Sequence, residues 1–552
     1  MENDALSADG GRFASFRPTG LAQSMGTYLA ATVTFRFLNF ARILLLTWFM
    51  TRQQMGLLNV ILMIISVLIP LCSFGLNDAV TRFVPHHEER GTLAAFFRRS
   101  LLLVAAVTAA TTGLMMIFAT RLGELFFAQV IDDPAVRAEF RGDARAMAIM
   151  TSVTIALSVA YFYLLAFFKG LRMFSALSRL EVWHAVLFFV GAIAMIYAGR
   201  LSALALTALF GGSILLPVAY YGGKLARVIR TWRAQASPLS GAAWERRLLR
   251  FSIWTALSGV TWQALQYYAT WYLNKTHGNE SVAVFGTVQK IAQLILIGAV
   301  AVSTVAMTTV TKTWESQGRE AAERQLSLAF RGTGIGLFLI CAALALGKHW
   351  VMKLFRSDYA IGAESLPLQL LFTLLAGYLA FLPGHFALRE KTRHAFWAWA
   401  AGIVANVLLA FCLARPGRFE AVMAGVAWQR VGQAVAWILA PSFSDPMGLH
   451  GAAWCAAAAM MIATVVCVLL VRSEGAHLDR GSYVTLCLPL LLATHSGLLA
   501  IGTAAVIITS KWTDLIFDGP ERQRMMGFAF GAISHLGRSV WRGRRSDAGR
   551  PN

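Results

Sequence analysis

The sequence has few charged residues, 14% against about 25% in an average soluble domain, whereas 57% of its residues are hydrophobic. This composition argues against a soluble enzyme, a disordered chain and a disulfide scaffold. The six cysteines include no C-x-x-C pair, so neither a zinc site nor a redox motif is supported. The sequence G-x-x-x-x-G-K-[ST] is absent too, so the chain has no P-loop for ATP hydrolysis.

Long polar linkers are missing as well, because apolar runs of about 20 residues recur along the whole chain. Backbone in lipid must satisfy its hydrogen bonds within its own segment, so each run is expected to be a helix. We therefore predict an all-α polytopic membrane protein with about 14 transmembrane helices (12–14). The predicted spans are residues 24–49, 57–76, 101–119, 146–168, 180–198, 202–221, 251–272, 282–308, 328–347, 364–387, 395–414, 421–441, 450–471 and 482–509.

Two segments affect the topology. Residues 1–23 are polar and carry both charge signs, unlike a cleavable signal peptide, so the first span is expected to be retained. Segment 421–441 contains Gln429, Arg430 and Gln433 and has two readings, a spanning helix or an interfacial one. We favour the crossing, because the basic tail would otherwise lie outside the cell.

The formal net charge of +21 comes from 49 Lys and Arg against 28 Asp and Glu. In a soluble protein this excess would suggest nucleic acid, but cytoplasmic loops of membrane proteins collect Lys and Arg. With the N-terminus inside, 31 basic residues lie in cytoplasmic loops and tails and 14 in outside loops. The sequence thus predicts a multi-pass protein of the cytoplasmic (inner) membrane with both termini in the cytoplasm, and no nucleic-acid partner.

A basic interval, 222–250, divides the chain near its middle. Thr47-Trp48-Phe49-Met50 at the end of the first span is echoed by Thr270-Trp271-Tyr272-Leu273 at the end of the seventh. Together these features suggest two related bundles, as in many transporters. The predicted parts are a cytoplasmic N-terminal segment (1–23), an N-lobe of helices 1–6 (24–221), the connector (222–250), a C-lobe of helices 7–12 (251–441), two additional helices (442–509) and a basic cytoplasmic tail (510–552).

The sharpest functional signal lies in the first span, where Arg36, Asn39 and Arg42 follow one another in steps of three. This spacing puts them on one slowly rotating stripe about 9 Å long. A central Arg costs about 2.5–3.5 kcal/mol to insert into a bilayer. We interpret the stripe as the wall of a water-filled cavity that binds phosphate, since guanidinium groups bind phosphate in a bidentate manner; structural pairing is the alternative.

Lys290, in the eighth span, either faces the same cavity from the second lobe or extends to the membrane surface. Trp262 and Gln263 are tentative sugar-binding residues, because aromatic rings stack on sugars and amides hydrogen-bond to them. Glu181 and His184 are read as interfacial residues, although a protonatable pair could serve ion coupling.

No catalytic, metal or cofactor site is predicted. The outside loops offer little room for a catalytic domain, and no pair of carboxylates is buried in the predicted bundle. His86-His87-Glu88-Glu89 has no other clustered ligands near it and is interpreted as a solvated charged segment.

Several motifs resemble the polysaccharide biosynthesis and O-antigen flippase family of the multidrug/oligosaccharidyl-lipid/polysaccharide exporter superfamily. Residues 73–85 (SFGLNDAVTRFVP) resemble its G-L-x-x-A-x-x-R-[FY] motif. Residues 354–359 (LFRSDY) resemble L-F-G-x-x-[YF], and residues 446–453 (PMGLHGAA) resemble P-x-G-[IL]-x-G-A-A. The stripe from Arg36 to Arg42 is similar to the first helix of bacterial peptidoglycan-precursor flippases. In the family the third motif directly follows the eleventh helix, whereas residues 415–445 intervene here.

The resemblance implies two six-helix lobes, usually with two further C-terminal helices, around a cavity that opens alternately to each side. It implies a polyprenyl-pyrophosphate-linked oligosaccharide as substrate, with Arg36 and Arg42 receiving the pyrophosphate. Membrane lipids and other polysaccharide-assembly membrane proteins are the expected partners. The second hypothesis is a multidrug and toxin extrusion antiporter of the same fold. The third is a membrane glycan polymerase or ligase.

Overall fold

The computed structural model describes residues 21–523, except for 90, 128–133, 172, 234–242, 383–384, 387–390, 392, 414–447, 476–477 and 515. Over these residues the regular structure is helical and contains no strand. Two 3-10 helices, Ser357–Ser365 and Leu488–Ala493, accompany the α-helices. The α-helices are α1 Leu21–Phe49, α2 Arg52–Cys72, α3 Leu76–Glu89, α4 Leu93–Ile117, α5 Ala119–Phe127, α6 Pro134–Gly170, α7 Phe174–Tyr197, α8 Ala203–Arg233, α9 Ala243–Thr276, α10 Gly278–Gln317, α11 Arg319–Leu346, α12 Lys348–Met352, α13 Leu366–Tyr378, α14 Arg393–Leu413, α15 Leu449–Ser473, α16 Arg480–Cys487 and α17 Ser496–Trp512.

The predicted all-α membrane architecture is confirmed. Ten of the described helical segments are long and apolar enough to cross a bilayer. Helices α1 and α9, with 29 and 34 residues, also exceed the length of about 20 residues that a crossing needs. Helices thus cover the first eleven predicted spans and the one at 450–471. Much of the predicted connector 222–250 is helical, since α8 continues to Arg233 and α9 begins at Ala243.

Two turns define the faces of the bundle. Helix α10 starts beside His277 and ends beside Arg319, and its 40 residues span about 60 Å, more than the hydrocarbon layer of about 30 Å. We call the two ends of the bundle the His277 face and the Arg319 face. The charge bias of the sequence predicts that the Arg319 face is cytoplasmic.

Helix α15 crosses the bundle from the His277 face to the Arg319 face. Its N-cap, Gly448, packs against the imidazole ring of His277. At its other end, the Arg319 guanidinium donates a hydrogen bond to the carbonyl of Gly475. Glu474 forms an ion pair with Lys391, just before α14, so α14 begins at the Arg319 face and runs antiparallel to α15.

The span predicted at 421–441 lies outside the described residues. Within the P-x-G motif, Gly448 is the N-cap of α15, and this helix starts at the His277 face.

The single span predicted at 482–509 is wrong, because the chain there forms two shorter helices. The first comprises α16 and the 3-10 helix that contains Pro489, and α17 returns after a break at the extended residues Thr494 and His495. The two pieces have 14 and 17 residues. A run of apolar residues does not reveal such a hairpin, since both arms have the same composition.

Arg331 of α11 contacts both ends of this hairpin at the Arg319 face. Its side chain, only 6% exposed, forms ion pairs with Asp479 at 3.0 Å and with Glu521 at 2.7 Å. The guanidinium also donates to the carbonyl of Ile516 and lies 5.6 Å from the ring centroid of Phe517. Asp479 precedes the hairpin and Glu521 follows it, so the chain leaves and returns on the same face.

Close backbone approaches hold α2 against α9 and α10. A Cβ atom on Gly56 would lie 1.8 Å from the backbone oxygen of Asn279, and one on Gly286 would lie 2.5 Å from the Asn59 amide nitrogen. Near the other end of α2, Gly75 has φ +65° and contacts the backbone of Ser252. Small residues permit this proximity, as at many helix contacts in membranes.

We predict that Gly56→Ala destabilises the protein by about 1–3 kcal/mol, because the added methyl group overlaps the Asn279 backbone. Gly113→Ala in α4 is the matched control, since no atom lies within 4 Å of its Cβ position. Alanine is favoured over glycine in a helix by about 0.5–1 kcal/mol, so the control should be slightly stabilised. Thermal unfolding in detergent compares the two, and equal midpoints would contradict the predicted overlap.

We also predict that cysteines introduced at Glu474 and Gly519, in a variant without the native cysteines, are labelled from the same side of the membrane. The Arg331 cluster places both positions at the Arg319 face. A cysteine at His277 should be labelled from the opposite side. Opposite labelling of positions 474 and 519 would restore a single crossing at 482–509.

Candidate functional site

A cavity of about 340 Å³ lies among α1, α2, α6, α7 and α8, with one contribution from α10. Helix α1 packs along α7 and supplies one wall, whereas α10 closes the opposite side with Lys290, Gln293 and Leu294. Most of the lining thus comes from the first half of the chain. The stripe on α1 lies along this space, and its predicted role in binding an anion stays a prediction.

Arg36, Asn39 and Arg42 all line the cavity. The Arg42 side chain is almost fully buried, and its Cζ atom lies 3.9 Å from the ring centroid of Phe188 on α7. An arginine over an aromatic face is attracted by the ring quadrupole, which offsets part of the cost of leaving water. Arg36 is exposed to the cavity, and the Asn39 amide donates a hydrogen bond to the carbonyl of Phe35 at 2.8 Å.

Lys290 enters the same cavity from α10, and of its two predicted positions the structure shows the one facing the arginines. Its Nζ atom donates a hydrogen bond to Gln293 at 3.2 Å and lies 5.7 Å from the ring centroid of Tyr267. Two guanidinium groups and one ammonium group thus face one space across the two halves of the chain. Such an arrangement suits an anion with several oxygen atoms.

Glu181 and His184, interpreted from the sequence as interfacial residues, also line the cavity. The His184 Nδ1 atom is 3.0 Å from the Ser213 hydroxyl oxygen, and its ring lies among Phe35, Tyr161 and Phe210. The i, i+3 spacing of the two residues was the available signal. It shows that they share a face of α7, but only the packing of α7 against α1 shows that this face borders the cavity.

Asn59 of α2 is a lining residue that sequence reasoning missed. It is buried, and its amide nitrogen has no hydrogen-bond partner. An orphaned buried donor costs about 1–3 kcal/mol, and this nitrogen lies against Gly286 of α10 with almost no exposed surface. A single Asn in an apolar run gives no sign of which way it points, so the sequence could not identify it.

Trp262 and Gln263 do not line this cavity. The ring of Trp262 packs against Trp399 of α14, with 4.6 Å between the centroids, so it forms part of a helix contact in the second half. Gln263 is half-buried on α9. Their sugar-binding role stays a prediction, and neither residue belongs to the cavity that contains the basic cluster.

Metal ligands do not cluster in the part of the chain that the structure describes, where no group of three His, Cys, Asp or Glu side chains could hold an ion. Within the proposed solvated segment, His87 is in fact buried, stacked on Phe96 at 4.4 Å and 2.9 Å from the Thr92 hydroxyl oxygen. It packs α3 against α4.

At the His277 face, polar contacts join the two halves of the chain. The Trp48 indole donates a hydrogen bond to the carbonyl of Leu354 at 3.1 Å, and Arg356 donates to the carbonyl of Met50 at 3.3 Å. Arg52 and Glu280 form an ion pair at 2.9 Å. We call this set of contacts the His277 seam.

Solved structures with the same fold are membrane transporters. The lipid II flippase MurJ, in an inward-closed conformation, superposes with a TM-score of 0.58 and 13% identity, over 92% of this chain and 99% of MurJ. A MOP-superfamily transporter from Pyrococcus furiosus Vc1, whose title describes a binding pocket of reverse polarity, superposes with a TM-score of 0.57 and 15% identity over 82% of this chain and 94% of its own. An inward-facing multidrug resistance MATE transporter gives 0.57 and 14%, over 82% and 98%. At these identities the likeness concerns the fold alone.

No curated protein sequence matches the chain. The family model described as polysaccharide biosynthesis protein matches residues 21–314, more than half of the 552 residues. The matched range contains every residue that lines the cavity. The chain therefore belongs to the polysaccharide biosynthesis protein family, and its fold is that of the MOP-superfamily transporters.

Proposed function

We propose that this protein is a flippase that moves a polyprenyl-pyrophosphate-linked oligosaccharide across the cytoplasmic membrane. The product would serve the biosynthesis of a surface polysaccharide, lipopolysaccharide or exopolysaccharide. The observation that carries the proposal is the cavity of a membrane protein of this family, lined by Arg36, Arg42 and Lys290. The chain would bind and release its substrate without covalent chemistry, so it is a transporter and not an enzyme.

The basic cluster has a physical cost that a substrate would offset. Arg36 lies midway along the apolar helix α1 and Arg42 lies six residues further on, and placing such a group at the centre of a bilayer costs about 2.5–3.5 kcal/mol even on the lenient insertion scale. Pyrophosphate brings several anionic oxygen atoms, which guanidinium groups bind through pairs of parallel hydrogen bonds. A neutral sugar alone would bring no negative charge to a lining in which three cationic side chains share one carboxylate, Glu181. The pyrophosphate linkage is therefore the part of the substrate that the cavity would hold.

Transport would proceed by alternating access. The His277 seam joins α1 and α2 of the first half to residues 280 and 354–356 of the second half. Separation of this seam would open the cavity to the outer leaflet, if the Arg319 face is cytoplasmic as the charge distribution predicts. Both termini would then lie in the cytoplasm, and membrane lipids and other polysaccharide-assembly proteins would be the partners.

A cation-exporting antiporter is the second candidate, because MATE transporters share the fold. An acidic cavity would favour cationic drugs, whereas this lining contains three cationic side chains and one carboxylate, Glu181. The charge of the cavity thus favours an anionic substrate. A glycan polymerase or ligase is the third candidate, and no specific feature of the cavity lining favours it.

We predict that Arg36→Ala or Arg42→Ala abolishes export of the surface glycan while the protein still inserts into the membrane. Loss of one charge-assisted hydrogen bond costs about 1.5–3 kcal/mol, roughly a 10- to 150-fold loss of affinity for the pyrophosphate. Glycan at the cell surface and membrane-inserted protein are the two quantities to measure. Arg324→Ala is the control, because Arg324 is exposed on α11 and pairs with Glu320 only. Normal glycan in both cavity variants would refute the proposed site.

We further predict that a reducible bifunctional thiol cross-linker joining Trp48→Cys to Leu354→Cys stops transport reversibly, because it locks the His277 seam. Reduction should restore glycan export. The control pair is Lys348→Cys with Glu364→Cys, which replaces an ion pair within the second half of the chain at the same face. Continued transport by the fully cross-linked seam variant would contradict alternating access at this seam.

A further inference from the structure

Glu181 is the single carboxylate among the residues that line the cavity. It lies near the start of α7, one turn before His184, and is half-buried. Glu181 interacts electrostatically with Lys169 at the end of α6 and with Arg36 of α1, the helix that packs along α7. A carboxylate in a cavity that otherwise attracts anions needs an explanation.

The surroundings of Glu181 are predominantly cationic. Helices α1, α6 and α8 pack against α7. Of the charged groups on these helices, Lys169 of α6 and Arg36 of α1 interact with Glu181. Further titratable groups on the packed helices, on α7 itself and on the cavity side of α10 are Arg42; Tyr161; Tyr220, Tyr221 and Lys224; Arg179 and His184; and Lys290. Lys169 also interacts with Asp78 of α3, so it is shared between two carboxylates. Arg36 is accordingly the cavity-lining partner of Glu181.

His184 is less suited to the same role. Its ring is buried between Phe188 and Phe210, its Nδ1 atom is engaged with Ser213, and it lies close to the Arg42 guanidinium. A second positive charge there would face Arg42 in an apolar environment. Glu181, by contrast, is attracted to Arg36 when ionised and is partly exposed to the cavity.

We infer that Glu181 is the internal counter-ion of Arg36 and competes with the phosphate of the substrate for this guanidinium. The inference rests on the proposed function and adds a regulating residue to the same site. In the empty cavity the ionised carboxylate would balance the charge of Arg36. Protonation of Glu181 would remove that competitor, so the protonation state of Glu181 sets the phosphate affinity of the cavity.

The sign of the coupling follows from electrostatics. A phosphate beside Arg36 repels the ionised carboxylate and favours its protonated form, so binding is accompanied by uptake of a proton from water. By linkage, phosphate affinity falls as the pH rises through the titration of Glu181. When the phosphate leaves, the carboxylate loses the proton and pairs with Arg36 again. Glu181 would thus assist substrate release as a positioning residue.

The test uses the full-length protein in nanodiscs, with inorganic pyrophosphate as the probe, titrated from mildly acidic to mildly basic pH. Glu181→Gln should bind pyrophosphate roughly tenfold more tightly than wild type at basic pH, because one repelling charge is removed. Its pH dependence should be shallower than that of wild type. Glu364→Gln, which alters a carboxylate in the second half outside the cavity, is the matched control and should behave like wild type.

A second measurement needs no variant. Calorimetry of wild-type binding in buffers of different ionisation enthalpy reports the number of protons exchanged on binding. After the change in protonation of pyrophosphate itself is subtracted, we expect a net uptake of protons by the protein. No such uptake, or equal affinity and pH dependence in wild type and Glu181→Gln, would overturn this inference while leaving the proposed function intact. Pyrophosphate binding that Arg36→Ala and Arg42→Ala leave unchanged would overturn both.

Discussion

A guanidinium group cannot face lipid midway along a spanning helix at an acceptable free energy, and this constraint fixes how α1 is placed. Arg42 is buried and lies over the ring of Phe188, which requires that α1 turn its arginine stripe towards α7. The same rotation brings Arg36 and Asn39 to the cavity, since the three residues share one stripe. The large apolar side chain of Phe37 is then exposed on the side of the helix opposite Asn39 and Arg42, as contact with lipid requires.

The second half of the chain meets this arrangement through α2. Glycines at the contacts between α2 and α10 let the backbones approach closely, so Lys290 comes near enough to share the cavity with the arginines. Small residues give packing without large interlocking side chains, and the polar His277 seam adds contacts that are partly exposed to solvent. Exposed ion pairs contribute about 0–1 kcal/mol each. A seam of this kind is compatible with the separation that alternating access needs.

Hydropathy revealed most of the fold, because a helix that crosses a bilayer must have about 20 apolar residues in a row. Hydropathy failed where the composition of a segment does not show whether the chain crosses the membrane or folds back. The run at 482–509 is predominantly apolar, yet it folds back at Thr494 and His495. This error leaves the fold class unchanged, because both arms of the hairpin are helical.

The site divides in the same way into what composition shows and what only packing shows. Charges inside an apolar run are visible in the sequence, which is how Arg36, Arg42 and Lys290 were found. The positions of Glu181 and Asn59 depend on the rotation of α7 and α2 against their neighbours, a property that no single helix determines.

The positive charges of the cavity are divided between the two halves of the chain: α1 supplies two of them and α10 supplies the third. Under the proposed function, a bound pyrophosphate would attract the arginines of α1 and Lys290 of α10 at once, so it would draw the two halves together. In the empty cavity, Glu181 would pair with Arg36 within the first half and would not draw Lys290 inward. Because both halves carry positive charge and only the first carries the carboxylate, the attraction between the halves would differ between a loaded and an empty cavity.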